Sequence, residues 1–159
     1  MRIEISIPEQ RLRLFDDEGG LCGEYPVSTA ANGPGERSGS NCTPRGRHVV
    51  RARIGADQPL NAVFVGRRPT GEIYTAELAE QHPQRDWILT RILWLSGCEL
   101  LFNRLGECDT MRRNIYIHGT PDEARIGVPG SHGCIRMRNA DLLSLFDLVP
   151  AGTPVEILG

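Results

Sequence analysis

Ile115-Tyr116-Ile117-His118-Gly119-Thr120, followed by Gly130-Ser131-His132-Gly133-Cys134-Ile135-Arg136-Met137, is the part of this chain whose reading decides the rest. An apolar strand delivers one histidine, and a glycine-bearing loop then brings a second histidine and a cysteine to the same region. Pro121, Gly127, Pro129 and Gly130 lie between His118 and Cys134. Those are turn residues, so the chain can fold back and set the imidazole beside the thiol. A free thiol has a pKa of about 8.5, and a paired imidazolium lowers it and favours the nucleophilic thiolate. The arrangement is a candidate Cys-His acyl-transfer site. Two plainer readings stay open on these residues alone. His118, His132 and Cys134 can supply three zinc ligands, although no C-x-x-C pair, H-E-x-x-H helix or obvious fourth ligand accompanies them. A buried cysteine and histidine can also serve packing alone.

Ile117-His118-Gly119-Thr120 together with Ser131-His132-Gly133-Cys134-Ile135-Arg136-Met137 resembles the signature of the L,D-transpeptidase catalytic domain, also called the YkuD-type domain. Upstream, Pro26-Val27-Ser28-Thr29 and Thr43-Pro44-Arg45-Gly46 are similar to that family's other recurrent segments, so the resemblance spans essentially the whole chain. It implies a β-sandwich-like fold, a Cys134 nucleophile that forms a thioester, and His118 as base and later acid. It also implies that the backbone carbonyl of Gly119 orients the imidazole. Gly133 and Cys134 amides are then the expected oxyanion donors, with His132 in support. Arg136 shares a strand face with Cys134 and suits a substrate carboxylate. Ser131 stands with it on the substrate side, its hydroxyl also able to fix the loop.

Composition narrows the alternatives. A length of 159 residues suits one domain, 1–159, and a net charge of -2 makes no electrostatic case for nucleic acid or an anionic membrane. No run approaches the roughly twenty apolar residues of a membrane helix. Met1 to Ile7 alternates like a strand and holds no secretory apolar core, so a cytoplasmic location is expected. Five scattered cysteines agree with a reducing compartment, and Cys22, Cys42, Cys98 and Cys108 are expected to be structural or incidental.

Short runs at Ile3–Ile7, Gln10–Phe15, Leu21–Ser28, Arg47–Ile54 and Thr153–Leu158 read as strands, and the nearly continuous apolar run Trp87–Leu95 reads as a buried strand, a pattern it shares with a buried helix. Val63–Val65 and Glu72–Tyr74 bracket an expected turn from Gly66 to Gly71. Thr75–Gln81 reads as a short helix. Asn139 is the expected N-cap of a second, whose apolar face holds Leu142, Leu143, Leu145, Phe146 and Val149. Thr29 to Arg45 has no periodicity and is a long loop of the kind that walls a site. The fold class is therefore mainly β, with mixed sheets and one or two short helices.

The resembled family acts on peptidoglycan tetrapeptide stems, so stems or muropeptides are the expected partners and no cofactor is expected. With no export signal and water as an abundant acceptor, L,D-carboxypeptidase activity is expected ahead of cross-linking transpeptidation. A catalytically silent muropeptide-binding module is disfavoured because Cys134 and His118 are both intact. The interval from His118 to Ser131 is shorter than in many members, which trims one wall of the site.

Overall fold

The computed structural model describes residues 1–159. Ten strands and two helices follow one another: β1 (Arg2–Ser6), β2 (Arg11–Phe15), β3 (Leu21–Ser28), β4 (Gly46–Ile54), β5 (Ala62–Val65), β6 (Arg68–Ile73), α1 (Ala76–Gln81), β7 (Ile88–Gly97), β8 (Tyr116–Gly119), β9 (Ile135–Met137), α2 (Asn139–Leu148) and β10 (Pro154–Leu158). They form one mixed sheet in the order β4-β10-β1-β2-β3-β9-β8-β7-β5-β6, and a β4–β7 pairing bends it back on itself. Two layers thereby face each other with their ends joined, and most strands have a neighbour on both sides. That removes the open edges that invite aggregation. The mainly β, mixed-sheet expectation holds.

Alternation drives the closure. Ile3 and Ile5 of β1 stand beside Val155 and Ile157 of β10 and opposite Leu14 and Leu12 of β2. All six are almost fully buried. Each of these three strands therefore turns every second residue into a common core, which also takes Val50, Leu93, Leu95, Ile117, Ile135 and Met137. Helix α2 adds Leu142, Leu145 and Phe146 to the same cluster, and Val149 just beyond its end joins them. Leu143, expected on that face, is only half-buried.

Three local details depart from expectation. The β5–β6 turn is two residues, not six. Gly66 and Arg67 both take positive φ, at 56° and 63°, the geometry that suits a tight hairpin. Arg67 tolerates it because its guanidinium is held by Asn114 Oδ1 and Tyr116 Oη, each at 3.0 Å, and stacks 4.3 Å from the Trp94 ring. Asn139 is not the N-cap of α2; Arg138 occupies that place without a side-chain cap bond. Asn139 is drawn instead into the interior, where its amide bonds Thr90 and Thr120. Finally, β7 is interrupted. Its register against β8 jumps between Leu89 and Ile92, and Thr90 there has φ +76°.

Candidate active site

The site grows out of the parallel pair β8–β9, in which His118 stands beside Arg136 and Ile117 beside Ile135. Side chains alternate along each strand, so Tyr116 and His118 on β8 share a face with Cys134 and Arg136 at β9. All four line one cleft of about 340 Å³, together with Asp86, Arg67 and Arg113. The interior neighbours Ile117 and Ile135 anchor the pair in the core. The sequence-predicted cysteine and histidine are thus brought together.

His118 is buried, and its Nδ1 lies 2.7 Å from Gly119 O. A carbonyl only accepts, so Nδ1 carries the proton of the neutral ring and Nε2 keeps a free lone pair. The Gly119 carbonyl thus lies against the ring nitrogen it is expected to orient. Glycine is needed at 119 for a separate reason. A β-carbon there would collide with Asn139 Oδ1 and Leu89 O. Burial holds the His118 pKa down at about 4, against the raising effects of the Gly119 bond and of Asp86.

Cys134 Sγ accepts from Tyr116 N–H and donates to Asn114 O, both at 3.3 Å. Burial pushes this thiol up to about 11, although the Tyr116 amide and the Arg136 and Arg113 charges pull it back. Burial acts against the thiolate-imidazolium pair expected from the sequence, because it disfavours the charged form of both groups. His118 Nε2 can then take the thiol proton only as the sulfur attacks.

The loop carrying Cys134 is braced from a distance. Thr43 of the Thr43-Pro44-Arg45-Gly46 turn is fully buried, accepts from Ala30 N–H and donates to Gly133 O, each at 2.9 Å. Gly130 and Ser131 N–H groups donate to Thr29 O. Arg113 spans the remaining gap and donates to Cys42 O at 2.6 Å and Gly35 O at 3.2 Å. The long loop from Thr29 to Arg45 is thus the wall that holds the nucleophile's turn.

Within that turn two assignments change. Ser131 is buried, and its hydroxyl donates to Cys134 O at 2.5 Å and accepts from Gly133 N–H at 3.1 Å. It fixes the loop and has no hydrogen left for substrate. The Gly133 amide, expected as an oxyanion donor, is spent on that serine. Cys134 N–H makes no bond within the protein and remains the available donor, with exposed His132 at the same cleft. Gly133 keeps a backbone role: at φ +135° it lets the chain pass Ile115 and Cys42 O closely.

Arg136 reaches the cleft as expected and is already engaged. It donates to Gly130 O at 3.2 Å and pairs with Asp86 at 3.4 Å. Asp86, Arg113, Asn114 and Tyr116 were not singled out from the sequence. Only the alternation of β8 points to Tyr116; the others reach the site through tertiary contacts that leave no local pattern. Three arginines against one aspartate make the cleft a receiver of anions.

A family model described as the YkuD L,D-transpeptidase catalytic domain matches residues 1–157, and the chain belongs to that family. Among curated proteins, Escherichia coli (strain K12) "Probable L,D-transpeptidase YbiS" is 50% identical over 42 residues, 26% of this chain and 14% of its own length. The same strain's "Probable L,D-transpeptidase ErfK/SrfK" is 55% identical over 42 residues, again 26% and 14%. An L,D-transpeptidase crystal structure from Xylanimonas cellulosilytica superposes with a TM-score of 0.62 at 20% identity, covering 98% of this chain and 59% of that one. L,D-transpeptidase 3 from Mycobacterium tuberculosis gives 0.60 at 16%, covering 99% and 60%. These structural likenesses establish the fold. The chain matches a small part of the curated relatives and about three-fifths of the solved structures.

Proposed function

We propose that this L,D-transpeptidase-family chain is a cysteine acyl-transfer enzyme of peptidoglycan stem peptides. It works mainly as an L,D-carboxypeptidase that removes the terminal D-Ala from tetrapeptide stems of muropeptides. The observation that carries the proposal is the free, unprotonated Nε2 of His118 in the cleft of Cys134, oriented by the Nδ1 bond to Gly119 O.

The chemistry follows from those protonation states. Cys134 Sγ attacks the carbonyl of the third stem residue while His118 Nε2 takes its proton. Cys134 N–H faces the developing oxyanion. Collapse breaks the bond to D-Ala, whose amine leaves with the proton from His118, and a thioester remains. His118 then takes a proton from water as the oxygen attacks the thioester. The sulfur leaves and is reprotonated, and tripeptide is released. Arg136, once it exchanges Asp86 for the substrate, offers a bidentate partner to the terminal carboxylate.

Water as the acceptor is supported by the short segment between His118 and Ser131. A transpeptidase must bind a second stem and position its amine, whereas water needs no groove. Beyond Gly119 the segment leading to Ser131 holds a single 3₁₀ turn at Glu123–Arg125, so little chain is available there to wall a second groove. A cytoplasmic setting belongs to the same proposal and is supported by five free cysteines, a pattern that suits a reducing compartment. Transpeptidation is the second reading, favoured by the names of the curated relatives. Mass spectrometry of the products from purified tetrapeptide separates the two. Tripeptide plus D-Ala is expected, and cross-linked dimer as the main product would leave the second reading.

A further inference from the structure

We propose that Thr90 and Asn139 are positioning residues that set the tautomer and orientation of His118 by gripping the backbone around Gly119. The inference rests on the reading of His118 as the base for Cys134 and adds how that base is held. Two unusual features point to it.

Thr90 is the first. It is buried and β-branched, yet its φ is +76°, a conformation such residues rarely adopt without compensation. It lies with Arg91 in the β7 bulge, between the pairs Leu89–Gly119 and Ile92–His118. The two extra residues therefore stand opposite the step from His118 to Gly119. Bulges re-aim side chains, and this one aims the Thr90 hydroxyl at Asn139 Oδ1, 2.6 Å away.

Asn139 is the second. It is buried at the start of α2, and its amide links the Thr90 hydroxyl to the backbone at Gly119 and Thr120. Nδ2 donates to Thr120 O at 2.9 Å, while Oδ1 packs so closely on Gly119 that no β-carbon fits between them. Its own N–H goes to Glu123 Oε2 at 3.0 Å. The Gly119–Thr120 segment is thus held from one side by Asn139, and Gly119 O meets the imidazole on the other. Without that grip the backbone at Gly119 and Thr120 can shift, Nδ1–H loses its acceptor, and the Nε2 lone pair is no longer fixed toward the sulfur.

The test uses Thr90→Val, which keeps the shape and removes the hydroxyl, Thr90→Ser, which keeps the hydroxyl, and Asn139→Asp, which replaces the donor with an acceptor. Ring ¹⁵N shifts of labelled histidine report the His118 tautomer, and steady-state kinetics on tetrapeptide separate kcat from KM. The wild type should show the Nδ1–H tautomer at pH 7. Thr90→Val and Asn139→Asp should lower kcat between about tenfold and a hundredfold, with KM within about twofold, and should shift the His118 ring signals. Thr90→Ser should keep both near wild type. If one substitution prevents folding, the other carries the test. Unchanged ring signals and kcat in a variant whose only loss is thermal stability would overturn the inference. Shifted ring signals in a protein whose wild type releases no D-Ala would instead uphold the inference and remove the functional reading.

Discussion

The two reacting groups sit in different mechanical settings. His118 lies inside β8, flanked by β7 and β9, with core residues on the opposite face and Gly119 O as its covalently adjacent acceptor. Cys134 lies on a loop whose shape depends on a few separable polar bonds, from Thr43, Ser131 and Arg113. The imidazole is placed by strand pairing on both sides, reinforced by the Thr90–Asn139 grip on Gly119 and Thr120. The thiol is placed by single contacts, most of them from residues far away in sequence. Apart from changes at Thr90 and Asn139, substitutions outside the signature should therefore disturb the cysteine more readily than the histidine.

The largest expected effect removes one side of the comparison. Cys134→Ala should lower turnover by about ten-thousandfold while the melting temperature stays close to wild type, because a half-buried sulfur is exchanged for a smaller group. Replacing Cys98 or Cys22, both exposed, should leave turnover unchanged. Thermal denaturation and D-Ala release measured on the same samples check both statements.

Acid should break the strand side instead. Burial holds His48 on β4 and His118 on β8 down at about 4, below the usual 6.5. Between those values the unfolded chain binds protons that the folded chain refuses, so stability falls as pH drops from 6.5 toward 4. Each imidazole contributes up to about 3 kcal/mol to that loss. Urea titrations at pH 7 and pH 4.5 measure it, and His48→Gln should remove about half. D-Ala release should also fade only as pH approaches 4, since His118 must be unprotonated to act as base.

Thr43→Val sharpens the comparison. It strands Ala30 N–H and Gly133 O, both buried, at about 1–3 kcal/mol. It should also lower kcat by about tenfold by loosening the Cys134 turn, while the His118 ring signals stay in place. Equal disturbance of both groups would erase the distinction. The smallest effect belongs to Arg136→Ala, which should raise KM for tetrapeptide by roughly tenfold and change KM much less for an analogue with an amidated C-terminus.

How much of this was legible follows the same division. His118, Cys134 and the Gly119 carbonyl lie within two short contiguous segments, and the strands beside them alternate cleanly, so the sheet and the pair could be read directly. The Gly133 amide was misassigned although its competitor sat two residues away. A serine commonly bonds a nearby backbone N–H, and Ser131 does so here. Asn139 looked like a helix cap because asparagine before an apolar helical run usually is one. A strained threonine forty-nine positions earlier claims its side chain instead. Asp86 and Arg113 left no signal, since each reaches the cleft from another part of the sheet or a loop. The resting charges of the pair were equally hidden: they depend on burial, which no local spacing encodes.

Intact-protein mass spectrometry during turnover of a purified tetrapeptide tests the central claim most directly. Quenched in acid, the wild-type chain should carry an added tripeptidyl mass that maps to Cys134, and the Cys134→Ala chain should carry none and release no D-Ala. D-Ala release continuing in the folded Cys134→Ala protein, or the acyl group mapping to another residue, would contradict the account.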